Sequence, residues 1–276
     1  MKKLLILGLT LCFALGVNAQ GAAEKKVLAG LTIGGGPNFN APQTNKITSN
    51  LGGDFVAGMN LDWHFAKNIA FSTGIEFDFN RFTHTFEDST FFDYSDKEVL
   101  QRGNSDDADF ATNLGEGQFF LEQRKYKSIY LSIPTMLRFQ TNYLGYVRYF
   151  GKFGVRNSFL LQSRGDNTGD LYPVGEQPTM DTELEDMRIP GSLSFYKGSV
   201  GFSAGAEWNF TGSTCLVGEI GFFYGFSNVH QESALTGDDE KNFSNYSGPY
   251  ADKSSREYYN PSSKQSQLLF KVAILF

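Results

Sequence analysis

The chain has 276 residues, with 24 lysine and arginine residues against 30 aspartate and glutamate residues and a formal net charge of −6 at pH 7. This acidic balance disfavours a nucleic-acid partner, because nucleic-acid-binding proteins present a basic surface to phosphate. Aromatic residues make up 15% of the chain, glycine contributes 30 residues and proline only eight. Such a composition favours a β-rich protein over a disordered one.

The first twenty residues have the pattern of an export signal. Lys2 and Lys3 precede an apolar run over residues 4–17, which is shorter than the roughly 18 residues of a transmembrane helix. Small residues follow up to Ala19, and the arrangement predicts a secretory signal peptide over residues 1–19. Residues 20–276 are then expected to form one domain, in which Cys215 is the single cysteine and no internal disulfide forms.

The rest of the chain alternates apolar and polar residues with the period of β-strands. A weaker glycine-rich segment, 27–36, is followed by seven clear ones: 51–65, 71–80, 129–139, 147–158, 196–210, 215–227 and 267–276. Short connections at 66–68, 141–145 and 211–213 alternate with long ones at 38–50, 82–127, 163–195 and 229–263. This pattern predicts an all-β fold, an eight-stranded antiparallel up-and-down transmembrane β-barrel with short periplasmic turns and long extracellular loops.

Charged residues share one face of the predicted strands, whereas the other face is apolar. In a soluble barrel the apolar face would point inward, and in a membrane barrel it would point outward to lipid. The lumen of an eight-stranded barrel is just wide enough for side chains to fill, and buried charges persist when they are paired. We therefore expect a structural lumen network of Asp54, Asp62, Glu76, Asp78, Arg138, Arg148, Lys152, Arg156, Glu207, Glu219 and Lys271.

Aromatic residues fall near both ends of the predicted strands. Rings at the two boundaries between water and lipid form the aromatic girdles of outer-membrane barrels. The predicted girdle consists of Trp63, Phe65, Trp208 and Phe210 on the side of the short turns, with Tyr224 and Phe226 on the opposite side.

The segment SIYLSIPTMLRFQ, residues 128–140, carries a proline in the middle of a predicted strand. Proline cannot donate to a β-ladder and normally lies in an edge strand, but a closed barrel has no edge. We therefore expect a strand kink or bulge at Pro134. Its parity places it on the lumen face with Ser132 and Arg138, where polar side chains can reach a carbonyl that has lost its partner.

The chain resembles the PorT-type family of eight-stranded outer-membrane β-barrels of Bacteroidota. The resemblance rests on YLSIPTMLRF, on GKFGVRNSFLLQSR and VGFSAGAEWNF further along, and on the closing strand LLFKVAILF. It implies a non-enzymatic barrel in the cell outer membrane, without a cofactor, in contact with outer-membrane lipid. One branch of the family takes part in type IX secretion, so the resemblance also implies secretion-machinery or other envelope proteins as partners.

Two other functions remain open. A structural or adhesive barrel would use the long connections 82–127, 163–195 and 229–263 to bind external ligands. Within them, regions 84–118, 163–195 and 229–263 contain 22 acidic and seven basic residues. An outer-membrane hydrolase would need a histidine base oriented by an acid. Its candidates are His64, His84 beside Glu87 and Asp88, and His230 beside Glu232 and Ser233.

No metal site is expected. The acidic runs Asp106–Asp109 and Asp238–Glu240 lack the alternating ligands and the turn glycine of a calcium-binding EF-hand loop.

Overall fold

The computed structural model describes residues 26–87, 89–100, 116–211, 214–231, 245–247, 257–259 and 261–276. The predicted signal peptide lies outside these residues. The described residues form thirteen strands. Among them there is no helix that is long and apolar enough to cross a membrane. The strands are β1 (Val27–Pro42), β2 (Ile47–Ala66), β3 (Ile69–Phe86), β4 (Thr90–Ser95), β5 (Glu98–Val99), β6 (Gly117–Gln140), β7 (Val147–Pro173), β8 (Thr179–Arg188), β9 (Tyr196–Asn209), β10 (Cys215–Asn228), β11 (Asn245–Ser247), β12 (Glu257–Tyr259) and β13 (Ser263–Leu275).

Eight of the described strands pair antiparallel in a closed ring. The order is β1, β2, β3, β6, β7, β9, β10 and β13, and β13 returns to β1. A path that follows the paired residues once around the ring returns to β3 ten residues from where it started. The shear of the barrel is therefore ten residues. With about 3.3 Å per residue and about 4.8 Å between strands, this shear tilts the strands by about 40° from the barrel axis. The prediction of an all-β antiparallel ring is confirmed.

The predicted long loops are wrong in extent. The first, 38–50, is a short connection between Pro42 and Ile47, and the other three contain strands. The ring strands β3, β6 and β7 extend well past their predicted ends, and β4, β5, β8, β11 and β12 add to them. We call this part of the molecule the extension, and the opposite end of the ring, with connections 67–68, 141–146 and 210–214, the turn end.

The extension escaped prediction because the alternation reverses where it begins. On β3, Phe77 and Phe79 point outward, but two residues further on Arg81 is the exposed one, and Phe82 and His84 are buried inside. A search for apolar residues on the outer face therefore ends at Phe79, although the strand continues to Phe86 with its apolar side inward.

The ring closes between β1 and β13, where the glycine-rich segment lies. A side chain at Gly36 would place its Cβ 1.9 Å from the carbonyl oxygen of Leu268, and one at Gly30 would meet Ile274 at the same distance. Close approach of the two backbones thus requires glycine at these two positions.

The strand at Pro134 is regular. Pro134 lies opposite Arg156 of β7, and the pairing with β3 keeps one register on both sides of the proline. The bulge expected there is absent, and the nearest irregularity of β6 lies between Ile129 and Tyr130. The missing N–H interrupts only the ladder to β3. The carbonyl of Pro134 accepts a 2.8 Å hydrogen bond from the Thr73 hydroxyl, which comes from the outward-facing set of β3 and not from the lumen.

Candidate functional site: the filled barrel interior

The turn end of the interior is organised by Arg138. Its guanidinium, from β6, contacts the carboxylates of Asp62 on β2 and Glu207 on β9, and all three side chains are almost fully buried. Glu207 also receives Arg148 at 2.8 Å and the Tyr143 hydroxyl at 2.7 Å. A single planar cation therefore bridges strands on opposite sides of the ring, a geometry suited to the fork of arginine.

Arg156 links strands in the middle of the barrel. From β7 it reaches Glu76 at 3.1 Å and Asp78 at 3.0 Å, both on β3. Lys271 of β13 contacts Glu76 at 2.6 Å, so this carboxylate joins three strands. Removing such charges from water costs several kcal/mol per ion, and the short contacts across the lumen offset that cost.

Amide side chains complete the network towards the extension. Asp54 accepts from Asn38 at 3.0 Å and from Gln267 at 2.8 Å, and it also contacts Asn80. These amides were not predicted, because an inward amide has no charge to distinguish it from any other polar residue on that face.

Lys197 is the charged member missing from the predicted network. Its ammonium lies 3.0 Å from Gln265, 3.7 Å from Asp78 and 4.4 Å from the centre of the Tyr130 ring. Its parity on β9 could have identified it. With Lys197 included, the network has six acidic and six basic side chains, so its formal charge sums to zero.

The structure places the eleven predicted network residues with their charged ends inside the ring. Ten are buried, and Glu219 is half-buried as a residue with a buried carboxylate 2.7 Å from Lys152. An apolar cluster lies at each end of this network. The turn end holds a cluster of Leu28, Phe150, Cys215, Val217, Ala273 and Leu275.

The opposite mouth is closed by a larger apolar cluster, which we call the cap. Its buried members are Ile47, Phe82, Phe86, Phe92, Tyr94, Val99, Phe119, Leu121, Tyr126, Met187, Ile189, Leu193 and Val229. The cap draws on the ring strands and on β4, β5 and β8, so the extension folds over the lumen and fills it.

His84 and His230 lie together within the cap. Their ring centres are 5.1 Å apart, both rings contact Tyr126, and both residues are buried. His230 Nδ1 is 3.0 Å from the Ser192 carbonyl oxygen, whereas neither nitrogen of His84 has a hydrogen-bond partner among the described residues. Arg124 extends over the Phe92 ring nearby.

The outer face of the ring carries the apolar residues. Neighbouring strands present them in matching rows, such as Phe71–Leu137–Phe153 and Phe77–Leu131–Phe159. The predicted girdle residues belong to this face, and 47–67% of the surface of Trp63, Phe65, Trp208, Phe210, Tyr224 and Phe226 is exposed.

A family model for the outer membrane protein beta-barrel domain matches residues 12–231. The chain belongs to this family of outer-membrane β-barrels. It is therefore a protein of the outer membrane, in contact with its lipid. Both the predicted location and the coarse fold are confirmed.

Several solved structures of small surface barrels resemble this outer-membrane barrel at low identity. Neisserial surface protein A is 8% identical, with a TM-score of 0.31, over 91% of this chain and 98% of that one. OprG of Pseudomonas aeruginosa is 9% identical, with a TM-score of 0.39, over 90% and 93%. Ail of Yersinia pestis is 11% identical, with a TM-score of 0.30, over 91% and 99%. No curated protein matches the chain.

The three histidines considered for a hydrolase lie in two different parts of this outer-membrane barrel. His64 lies at the turn end, 3.3 Å from Gln140, and Glu87 is exposed and accepts from Thr48. His84 and His230 are together in the cap, as described above. Their proposed partners Asp88, Glu232 and Ser233 lie outside the described residues.

The acidic runs Asp106–Asp109 and Asp238–Glu240 also lie outside the described residues. Within the described ranges, no group of three or more histidine, cysteine, aspartate and glutamate side chains is placed to hold a metal ion. Cys215 is a buried free thiol 3.9 Å from the Tyr143 hydroxyl.

The two cap histidines predict that the cap weakens in acid. Both lie on the extension side of Phe79, beyond the apolar outer face. Burial lowers the pKa of His230 to about 3 and that of His84 well below its usual value. Arg124 and the neighbouring histidine disfavour the charged form of His84 further. A histidine with a lowered pKa contributes stability that is complete above about pH 6.5 and is lost as the pH falls, because only the opened state then binds the proton.

We expect opening of the cap to become easier by about 2 kcal/mol between pH 7 and pH 5 for His230 alone. Amide exchange of Phe82 to Phe86 measured at both pH values tests this, with His84→Phe/His230→Phe as the variant that cannot titrate. The free energy of opening is obtained from the exchange rates after correction for the intrinsic pH dependence of amide exchange, and in the variant it should be the same at both pH values. An equal pH dependence of this free energy in the wild type and the variant would contradict the assignment to these histidines.

Proposed function

We propose that this protein is a closed, non-enzymatic outer-membrane barrel that supports protein secretion or envelope assembly through partner contacts, as its PorT-type resemblance implies. The observation that carries the proposal is the filled interior. A turn-end apolar cluster, a balanced network of twelve charges and the cap follow one another along the axis. We infer from this filling that the surfaces used for function lie outside the lumen.

The outer apolar face has the height expected of a lipid-facing band. On β3 it runs from Ile69 to Phe79, and the ten steps between these residues span about 25 Å along the axis at a tilt of about 40°. Outer-membrane barrels carry an apolar band of about 25 Å. We place the predicted girdle residues at its two edges, the short connections in the periplasm and the extension outside the cell.

The extension offers the partner surface. Strand β8 pairs with β7 along one edge. Among the described residues its other neighbour is β5, which meets it at a single residue pair, Glu98 with Arg188. An open strand edge of this kind can accept an added strand from a partner.

A deletion strain tests the proposal. Surface delivery of secreted proteins should fall and should return when the full chain is supplied. The purified protein in planar bilayers should give no conductance steps, because the lumen is filled. Intact secretion in the deletion strain would contradict the role in secretion, and a conducting pore would contradict the closed lumen.

An adhesive barrel is the second candidate, and the acidic face of β8 favours it. Asp181, Glu183, Glu185 and Asp186 are all exposed there. Loss of surface attachment with secretion intact, reproduced by Glu183→Gln/Glu185→Gln, would support adhesion over the role in secretion.

A further inference from the structure

A row of basic residues crosses the outer face directly above the apolar band. Arg81 of β3 lies opposite Lys127 of β6, which lies opposite Arg164 of β7, which lies opposite Arg188 of β8. Directly opposed residues of an antiparallel pair point to the same face. Four cations from four neighbouring strands therefore share one surface, and Lys125 of β6 lies diagonally beside Arg81 on the same face.

The change from apolar to basic occurs over one step of the ladder. Phe79 and Ile129 are paired in the band, and the next outward pair is Arg81 with Lys127. The strand tilt raises the row by about 3 Å for each strand passed, so Arg81 lies nearest to the band. On the far side of the ring, Phe39 of β1 and Phe226 of β10 are exposed at this end of their strands, so the row of four cations does not extend to them.

One acidic residue, Asp166, lies among these cations, because it pairs with Lys127 and lies opposite Lys125. Arg81, the cation nearest to the band, has no ion pair among the described residues. Lys127 pairs with Asp166 at 2.6 Å and Arg164 with Asp186 at 2.7 Å. Arg81 and Lys125 are exposed, and among the described residues no hydrogen bond or ion pair involves either of their charged groups. Like charges side by side across strands are destabilising, so this arrangement points to an anion supplied from outside the chain.

We propose that Arg81, Lys125 and Lys127 bind the phosphate groups of an outer-membrane lipid whose acyl chains lie against the apolar band. Phosphate forms strong, charge-assisted hydrogen bonds with guanidinium and ammonium groups. Long basic side chains at the edge of a band also extend towards the headgroup layer. The lipid is the source of the phosphate because apolar pairs lie directly beneath Arg81 and Lys127, namely Phe79 with Ile129 and then Phe77 with Leu131, and offer a surface for acyl chains.

This assignment rests on the band lying in lipid, which Phe77→Arg tests separately in the Discussion. The binding test uses the full chain in a zwitterionic detergent, titrated with bisphosphorylated lipid A and, in parallel, with the same lipid after removal of its phosphates. Native mass spectrometry counts the bound lipids. The variant is Arg81→Gln/Lys125→Gln, and the matched control is Lys26→Gln/Lys67→Gln, which removes the same charge from exposed positions at the turn end.

We expect Arg81→Gln/Lys125→Gln to bind the phosphorylated lipid about tenfold more weakly, whereas the control variant binds as the wild type does. The dephosphorylated lipid should bind the wild type and the variant equally, and Arg81→Lys/Lys125→Arg should restore binding. Heat-modifiable migration on gels verifies that each variant is folded.

If Arg81→Gln/Lys125→Gln and Lys26→Gln/Lys67→Gln bound the phosphorylated lipid with equal affinity, the proposal would be overturned. Full competition by inorganic phosphate at the same phosphate concentration would also overturn it, since this would show a site for free phosphate without a contribution from the lipid.

Discussion

Replacing Arg138 by methionine is expected to lower the free energy of unfolding by about 3–5 kcal/mol, because breaking a buried ion pair leaves an uncompensated charge. Arg138 is fully buried and bridges Asp62 and Glu207. Arg148 still reaches Glu207 in the variant, whereas Asp62 keeps the Ser72 hydroxyl as its one direct hydrogen-bond partner among the described residues. Urea titration of the folded fraction in detergent, read from heat-modifiable migration, measures the loss.

The matched control is Arg81→Met, which removes the same side chain from the outer face, where no acidic partner lies among the described residues. It should change stability by less than about 0.5 kcal/mol. Arg138→Lys should give an intermediate loss, because one ammonium cannot serve two carboxylates with the geometry of the guanidinium fork. Equal effects of Arg138→Met and Arg81→Met would mean that the network does not hold the ring together.

Replacing Phe77 by arginine is expected to destabilise the barrel in a bilayer by about 2–4 kcal/mol. Phe77 is 45% exposed on the outer face and lies next to Leu131 of β6 in the apolar band. A charge at this depth has to leave water for lipid. The free energy of unfolding in vesicles of phosphatidylcholine measures the cost.

Thr83→Arg is the matched control for Phe77→Arg. It places the same residue on the same face of β3, six residues further along and past Arg81, where the side chain meets water. The expected cost is below about 1 kcal/mol. A cost at Phe77 as small as that at Thr83 would show that the outer face is not in lipid.

The interior could be predicted as a set of residues because strand alternation alone assigns each side chain to a face. Asp62, Arg138 and Glu207 share the polar parity of their strands, and no knowledge of neighbours is needed to place them there. Their pairing could not be predicted. Whether Arg138 meets Glu207 or Glu219 depends on the shear of the ring, and shear is a sum over all eight pairings.

The cap shows the other limit. His84 and His230 are separated by 146 positions in the chain, and their contact depends on β3 and on the segment after β10 meeting over the lumen. The alternation around Phe82 was present in the sequence, but its sense is opposite to that of the band. A criterion that requires apolar residues outside therefore ends the strand too early.

The sequence by itself determined the class of fold, the compartment and the side of the strand on which each charge lies, because these follow from local periodicity and composition. The tertiary structure alone decided three things: the extension of the strands past the apolar band, the partners within the charged network, and the alignment of Arg81, Lys127 and Arg164 in one row. Each depends on register between segments far apart in the chain, and a change of one residue in register would move every one of these side chains to the other face.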